Sequence, residues 1–197
     1  NGIGLSPDED FLYVAETETA RLWKFRIVRP GELAKEPYPS QNGGALVAGI
    51  GGRGIGYAVM AYEVPPGTKA HEEKNRIIFG VGPITGSGSP SSGRTSITAL
   101  HAVHKDELPD GGQMGGHWGP ELKYAGYDAV IVQGQASKPV WLRIEDDKVT
   151  IEDASNIWGT GIYFATNYIV NEMGPEAHVA CIGPSSEKLV RLSAVHC

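Results

Sequence analysis

Along the early part of the chain, hydrophobic and polar positions follow a period of two. Phe11-Leu-Tyr-Val-Ala-Glu16 is a strand-like run, and Leu22, Lys24 and Arg26 then alternate with Trp23, Phe25 and Ile27. Ser6-Pro7-Asp8 and Glu16 to Thr19 carry turn residues, so the pattern predicts a β-hairpin over Phe11–Val28. Further on the period changes. Ile55, Val59 and Tyr62 recur at helical spacing before Pro65, which predicts a helix. Short apolar runs predict strands at Arg76–Val81, Asp128–Val132, Pro139–Ile144 and Lys148–Ile151, with Glu145-Asp146-Asp147 turning the chain between the last two. Gly161–Glu172 reads as a helix whose inner face is Ile162, Ala165, Ile169 and Val170. Val179–Pro184 and Leu189–His196 read as two more strands, with Cys181 as a small, inert hydrophobe. The fold class predicted is α+β: mixed or antiparallel β-sheets with a few short helices, preceded by a β-hairpin.

Glycine changes this picture. There are 27 glycines among 197 residues, about double the usual share. They cluster at 43–56, 80–93 and 111–119, which suggests loops gathered round a cofactor. Five of the nine residues Gly111–Gly119 are glycine, too many for a regular element, so this segment is predicted as a loop. It ends on Pro120 at the start of a short helix, Glu121 to Tyr124, which Gly126 can stop. Free N–H groups at such a junction suit an anion, phosphate being the usual guest; a tight turn without a ligand is the alternative. Ser87 to Thr98 is a run of small residues with a single arginine, Arg94, which suits a loop wrapped round a phosphate. Arg53, at the start of the first predicted helix, either reaches an anion or is a surface arginine. His101, His104, Asp106 and Glu107 bring metal-ligating types together, but without helical periodicity they read as solvent-facing loop, and no metal site is assigned. No catalytic residue is assigned either.

The net charge of −6 argues against a nucleic-acid-binding surface. Two cysteines, Cys181 and Cys197, are too few to hold an iron–sulfur cluster or a structural zinc. The apolar runs are far shorter than the about 18 residues of a membrane span, and no signal peptide is evident, which gives a cytoplasmic expectation. Three prolines, Pro30, Pro37 and Pro39, and Ser40 to Gly44 make a linker, dividing the chain into 1–44 and 45–197. The sequence starts without Met and stops on Cys197 just after a strand-like run, so a fragment is expected.

Two family resemblances rest on these residues. Asn1-Gly-Ile-Gly-Leu-Ser-Pro-Asp, followed by a strand ending Tyr13-Val-Ala-Glu16, resembles one blade of a gluconolactonase-type β-propeller. In that family the residue at the position of Asn1 is a ligand of the catalytic metal. This likeness covers about the first 40 residues, and one blade cannot close a propeller.

From Gly49 on, the chain resembles the N-terminal domain of tungsten-containing aldehyde ferredoxin oxidoreductases, to which the benzoyl-CoA reductase catalytic subunits are related. The segments that carry the likeness are Gly51-Gly-Arg-Gly54, Gly82-Pro-Ile-Thr-Gly86, Gly115-Gly-His-Trp-Gly-Pro-Glu-Leu-Lys-Tyr-Ala-Gly-Tyr-Asp128 and Asp153-Ala-Ser-Asn-Ile-Trp-Gly159. The resemblance implies one half of a tungsten or molybdenum bis-pterin site. Arg94 would contact the pterin, Gly115 and Gly116 would let it approach the backbone, and Arg53 would assist. Gln113 stands where the family has an Asn whose carbonyl helps hold a magnesium between the pterin phosphates. His117 is read as packing or hydrogen-bonding rather than as a proton donor. The partners implied for the whole enzyme are an aldehyde substrate and ferredoxin, with a 4Fe–4S cluster whose ligands are absent here, and a homo-oligomer is compatible. The alternatives kept open are a fragment of a metal-dependent lactonase-type hydrolase and a non-catalytic chimeric fragment.

Overall fold

The computed structural model describes residues 51–197 throughout. Before them it describes the backbones of residues 2–5, 11–16, 21–29 and 32–33, with the side chains of Val28 and Arg29. Asn1, the turns at Ser6–Asp8 and Thr17–Thr19, the side chains of Trp23 and Phe25, and the linker and glycines of 34–50 lie outside the described residues.

The predicted hairpin is found as β2 (Phe11–Glu16) against β3 (Arg21–Arg29), from the pair Phe11↔Arg26 to Glu16↔Arg21. It is flanked by β1 (Gly2–Leu5) and β4 (Glu32–Leu33), giving an antiparallel sheet in the order β1-β2-β3-β4. Among the described residues these strands pair with one another and not with the later sheets.

α1 (Gly52–Glu63) opens the next part and lies over an antiparallel sheet of order β7-β6-β5-β8. The strands are β5 (Arg76–Val81), β6 (Thr95–Leu100), β7 (Pro109–Met114) and β8 (Ala129–Gln133). The face α1 turns inward is not its bulky stripe. Gly54, Gly56 and Met60 are buried, while Tyr62 is 91% exposed. A side chain at Gly56 would run into Thr98 of β6, 2.6 Å from its Cβ, so the helix comes close because it has nothing there. The sheet answers in kind: Thr95 and Thr98 are fully buried, and so are Ile78 and Val81.

Two expectations are corrected here. Thr95–Leu100 and Pro109–Met114 are strands, not loops, and Gly111 and Gly112 sit inside the second of them. Gly111 is needed because a Cβ there would collide with the Ile97 carbonyl across the β6–β7 ladder.

α2 (Trp118–Tyr124) follows β7 and starts two residues earlier than the proline signal suggests. Trp118 meets Phe79 of β5 with ring centroids 5.5 Å apart.

β9 (Val140–Glu145) and β10 (Lys148–Asp153) form a two-stranded ribbon, as the alternation predicts. α3 (Ile162–Met173) packs against it through a core of Ala154, Ile157, Ala165 and Ile169, joined by Trp141, Tyr168, Met173 and Val179. In the Asp153–Gly159 turn it is Ile157 that fills the core, while Trp158 is 46% exposed. The two predicted C-terminal strands are absent. Residues 184–187 form a short helix, α4 (Pro184–Glu187), and only a bridge between Cys181 and His196 remains of the expected pairing. Leu189 and Leu192 are exposed. No helix among the described residues is long and apolar enough to cross a membrane.

Candidate functional site

Antiparallel register brings the glycine-rich segments to one end of the four-stranded sheet. Val81 pairs with Thr95, Thr95 with Met114, and Gly80 with Ala129. The C-terminal ends of β5 and β7 therefore lie beside the N-terminal ends of β6 and β8.

The start of α1 is pressed onto the same end. A side chain on Gly51 would strike the Val81 carbonyl and come within 3.1 Å of Gly82 Cα and 3.3 Å of Pro83 Cδ. One on Gly80 would meet Gly52 within 3.2 Å. The start of α2 is there too: Gly119 lies against the Thr95 hydroxyl, and a Cβ on it would stand 3.2 Å from the Gly93 carbonyl.

The segments Gly51–Gly54, Gly82–Arg94 and Gly111–Gly119 thus meet at one edge. Arg94 and Gly115 are the next residues on either side of the last pair of the ladder, Thr95↔Met114. Gly93 is likewise close to Gly116, whose carbonyl is 3.8 Å from the position of a Gly93 Cβ.

The candidate residues divide as follows. Arg94 is exposed and makes no ion pair among the described residues. Arg53 is half-buried in the first turn of α1, and its Nε is buried without a hydrogen-bond partner. A buried guanidinium nitrogen left unpaired is costly, so this atom has capacity for an acceptor. Gly115 and Gly116 are exposed; Gly115 has nothing within 4 Å of a Cβ position, and Gly116 has φ +76°. Gln113 is exposed at the end of β7, opposite Ser96. His117 caps the start of α2 with its ring stacked on His178, centroids 5.4 Å apart.

The His101–Glu107 segment is engaged otherwise. The Glu107 carboxylate accepts from the Ala70 N–H at 2.7 Å, and His104 Nδ1 accepts from the Asp106 N–H at 3.2 Å. No group of three His, Cys, Asp or Glu among the described residues is placed to hold a metal.

Three residues at the edge escape the sequence reading. The Thr85 hydroxyl joins the Gly82 N–H to the Ser92 carbonyl. The Tyr124 hydroxyl donates to the Gly86 carbonyl at 2.9 Å. The Cys197 thiol donates to the Gly115 carbonyl at 3.3 Å. Thr85 and Tyr124 sit inside quoted motifs, but nothing local in them tells that their hydroxyls tie loop to loop.

Comparison with known proteins adds the following. The family model for the aldehyde ferredoxin oxidoreductase N-terminal domain matches residues 34–197. A tungsten-containing aldehyde ferredoxin oxidoreductase of Pyrococcus furiosus is 37% identical over 150 residues, 74% of this chain and 24% of the relative. One from Thermococcus kodakarensis is 36% identical over 152 residues, with the same coverage. Among solved structures, the active site complex BamBC of benzoyl coenzyme A reductase with 1,5-dienoyl-CoA is similar with a TM-score of 0.71 at 34% identity, over 75% of this chain and 22% of that one. The chain thus spans about a quarter of the length of the curated relatives it matches.

Proposed function

The chain belongs to the aldehyde ferredoxin oxidoreductase family, in its N-terminal domain, and on that footing we propose that the glycine-rich sheet edge binds one pterin half of a tungsten or molybdenum bis-pterin cofactor. When bound, such a centre supplies the acceptor for two electrons as an aldehyde becomes a carboxylate, and an iron–sulfur cluster passes them to ferredoxin. This chain's own part is to bind and orient. Arg94 and Arg53 hold the phosphate, Gly115 and Gly116 let the ligand come against the backbone, and Gln113 offers its carbonyl oxygen to a magnesium. Two cysteines cannot supply the cluster ligands, so on this reading those ligands and the other half-site come from outside this chain. The chain alone is inactive toward aldehydes on this reading, and the enzyme it belongs to works in the cytoplasm.

The observation that carries the proposal is the meeting of three glycine-rich segments at one edge together with the unpaired, buried Arg53 Nε. A phosphate needs N–H donors and a guanidinium in one place, and the edge supplies both residue types. A second reading, a lactonase-type hydrolase fragment led by Asn1, draws on the meander β1-β2-β3-β4, which has the strand number of a propeller blade. It concerns only the segment that the family match, beginning at residue 34, leaves out.

The test is expression in a host that makes the pterin, with tungstate supplied. Protein-bound pterin is then measured by the fluorescence of its oxidised form. Wild type should carry pterin, and Arg94→Glu and Arg53→Glu should lose most of it. Wild-type protein free of pterin, or variants that retain it undiminished, would refute the assignment.

A further inference from the structure

Arg94 is only as well placed as the loop that delivers it, and that loop is fastened by a residue not yet given a role. Thr85 is 4% exposed, and its hydroxyl is used twice. It accepts from the Gly82 N–H at 3.0 Å and donates to the Ser92 carbonyl at 2.9 Å. Gly82 directly follows β5, and Ser92 stands just before Gly93 and Arg94 at the head of β6. One hydroxyl therefore ties both feet of the loop together.

The body of the loop is braced from within. Ser87 Oγ donates to the Ile84 carbonyl and Ser92 Oγ to the Ser89 carbonyl, each at 2.7 Å. Tyr124 of α2 holds it from outside through Gly86. Among the described residues Arg94 has no ion-pair partner of its own to fix it. An arginine fork recognises an oxyanion bidentately only when its backbone is held in place, because the side chain alone has too many rotamers.

We propose that Thr85 is a positioning residue that sets Arg94 near Gly115 for anion binding, with the Tyr124 hydroxyl as its outer brace. This rests on the reading above, in which the edge takes a phosphate-bearing cofactor. The chemistry demands a hydroxyl, since one side-chain atom both accepts and donates here. Serine keeps both bonds and loses only the methyl that restricts χ1; valine keeps the shape and loses both bonds.

The experiment uses the 197-residue chain and inorganic pyrophosphate as probe, with affinity read by calorimetry. Amide hydrogen exchange is followed without the probe. Thr85→Val should weaken binding about tenfold, the scale of a lost buried hydrogen-bond partner. Thr85→Ser should stay within about threefold of wild type, about half of that free energy. In an Arg94→Ala background, Thr85→Val should cost nothing further, because the clasp acts through Arg94. Amides of residues 87–93 should exchange faster in Thr85→Val, while those of β6 stay protected. Tyr124→Phe removes only the hydroxyl of an exposed residue, should leave the chain folded, and should also weaken binding; unchanged affinity there would overturn the proposal should Thr85→Val fail to fold.

Pyrophosphate binding by wild type that Arg94→Ala abolishes and Thr85→Val leaves intact would overturn the clasp alone. So would an equal loss from Thr85→Val with and without Arg94. No pyrophosphate binding by wild type would overturn the site assignment, and the clasp with it.

Discussion

Replacing Gly56 by alanine sets two known effects against each other. In an exposed helix the change stabilises by about 1 kcal/mol, because glycine has the greater conformational freedom to lose. In α1 the new methyl would stand 2.6 Å from Thr98 Cβ and 3.2 Å from its Cγ2, and closer still to the hydroxyl. Carbon atoms rest about 3.5–4.0 Å apart, so helix and strand must separate by about 1 Å. Thr98 is fully buried in the sheet and cannot swing aside. Overpacking of this kind costs about 1–3 kcal/mol, and so rigid a site belongs at the upper end. The net loss is about 1–2 kcal/mol, which at this size lowers Tm by about 2–8 °C. Thr98→Ala should not rescue it, since the offending Cβ remains. Gly119→Ala gives the contrast. There the worst contact is with the Thr95 hydroxyl; the next are the Gly93 carbonyl at 3.2 Å and Val81 Cγ1 at 3.5 Å. Adding Thr95→Ala removes the collision, so the Gly119→Ala penalty should shrink markedly in the double variant. Thermal unfolding followed by circular dichroism decides the matter. A Gly56→Ala protein as stable as wild type, or rescued as fully by Thr98→Ala as Gly119→Ala is by Thr95→Ala, would refute the close-packing argument.

Asn75 is buried, donates to the Ala70 carbonyl at 2.8 Å and accepts from the N–H groups of Arg76 and Leu100; Asn75→Ala should therefore cost about 2–3 kcal/mol in denaturant unfolding, and a loss below about 0.5 kcal/mol would contradict this. The Asp153 carboxyl is held below its ordinary value by hydrogen bonds from the Ser155 side chain and N–H. Its folded pKa is depressed, so its contribution to stability is complete above about pH 4 and is lost as pH falls through the lowered value. Asp153→Asn should flatten that acid limb in unfolding measured across pH, and an unchanged limb would show that other carboxylates set it. The purified chain should contain neither iron nor labile sulfide, because Cys181 and Cys197 are its only cysteines; stoichiometric iron by elemental analysis would overturn this.

The elements legible in the sequence are those whose signal is local. β5, β8 and the β9–β10 ribbon announce themselves by apolar runs, and α3 by Ala165 and Ile169 on its inner face. The misreadings of β6 and β7 share one physical origin. Glycine suggests loop, yet Gly111 lies in a strand, where the Ile97 carbonyl comes too close for any Cβ, just as Thr98 does at Gly56 in α1. β6 was hidden for the complementary reason. Its buried positions include Thr95, Ser96 and Thr98 rather than large hydrocarbons, because glycines face them. At the other extreme, Leu189–His196 has the composition of a strand but among the described residues finds no neighbour to pair with beyond the Cys181–His196 bridge. Pairing is a property of two segments, and neither one states it alone. The candidate site shows the same division. Residue types suited to an anion can be read from the Arg94 and Gly115–Gly116 segments separately. What sets Arg94 near Gly115 is the register Thr95↔Met114, fixed by the whole β6–β7 ladder from Leu100↔Pro109 onward. A one-residue slip of β6 would turn Thr98 away from Gly56 and carry Arg94 away from Gly115 together. The close packing of α1 on β6, seen where Thr98 meets Gly56, therefore also resists the slip that would part Arg94 from Gly115.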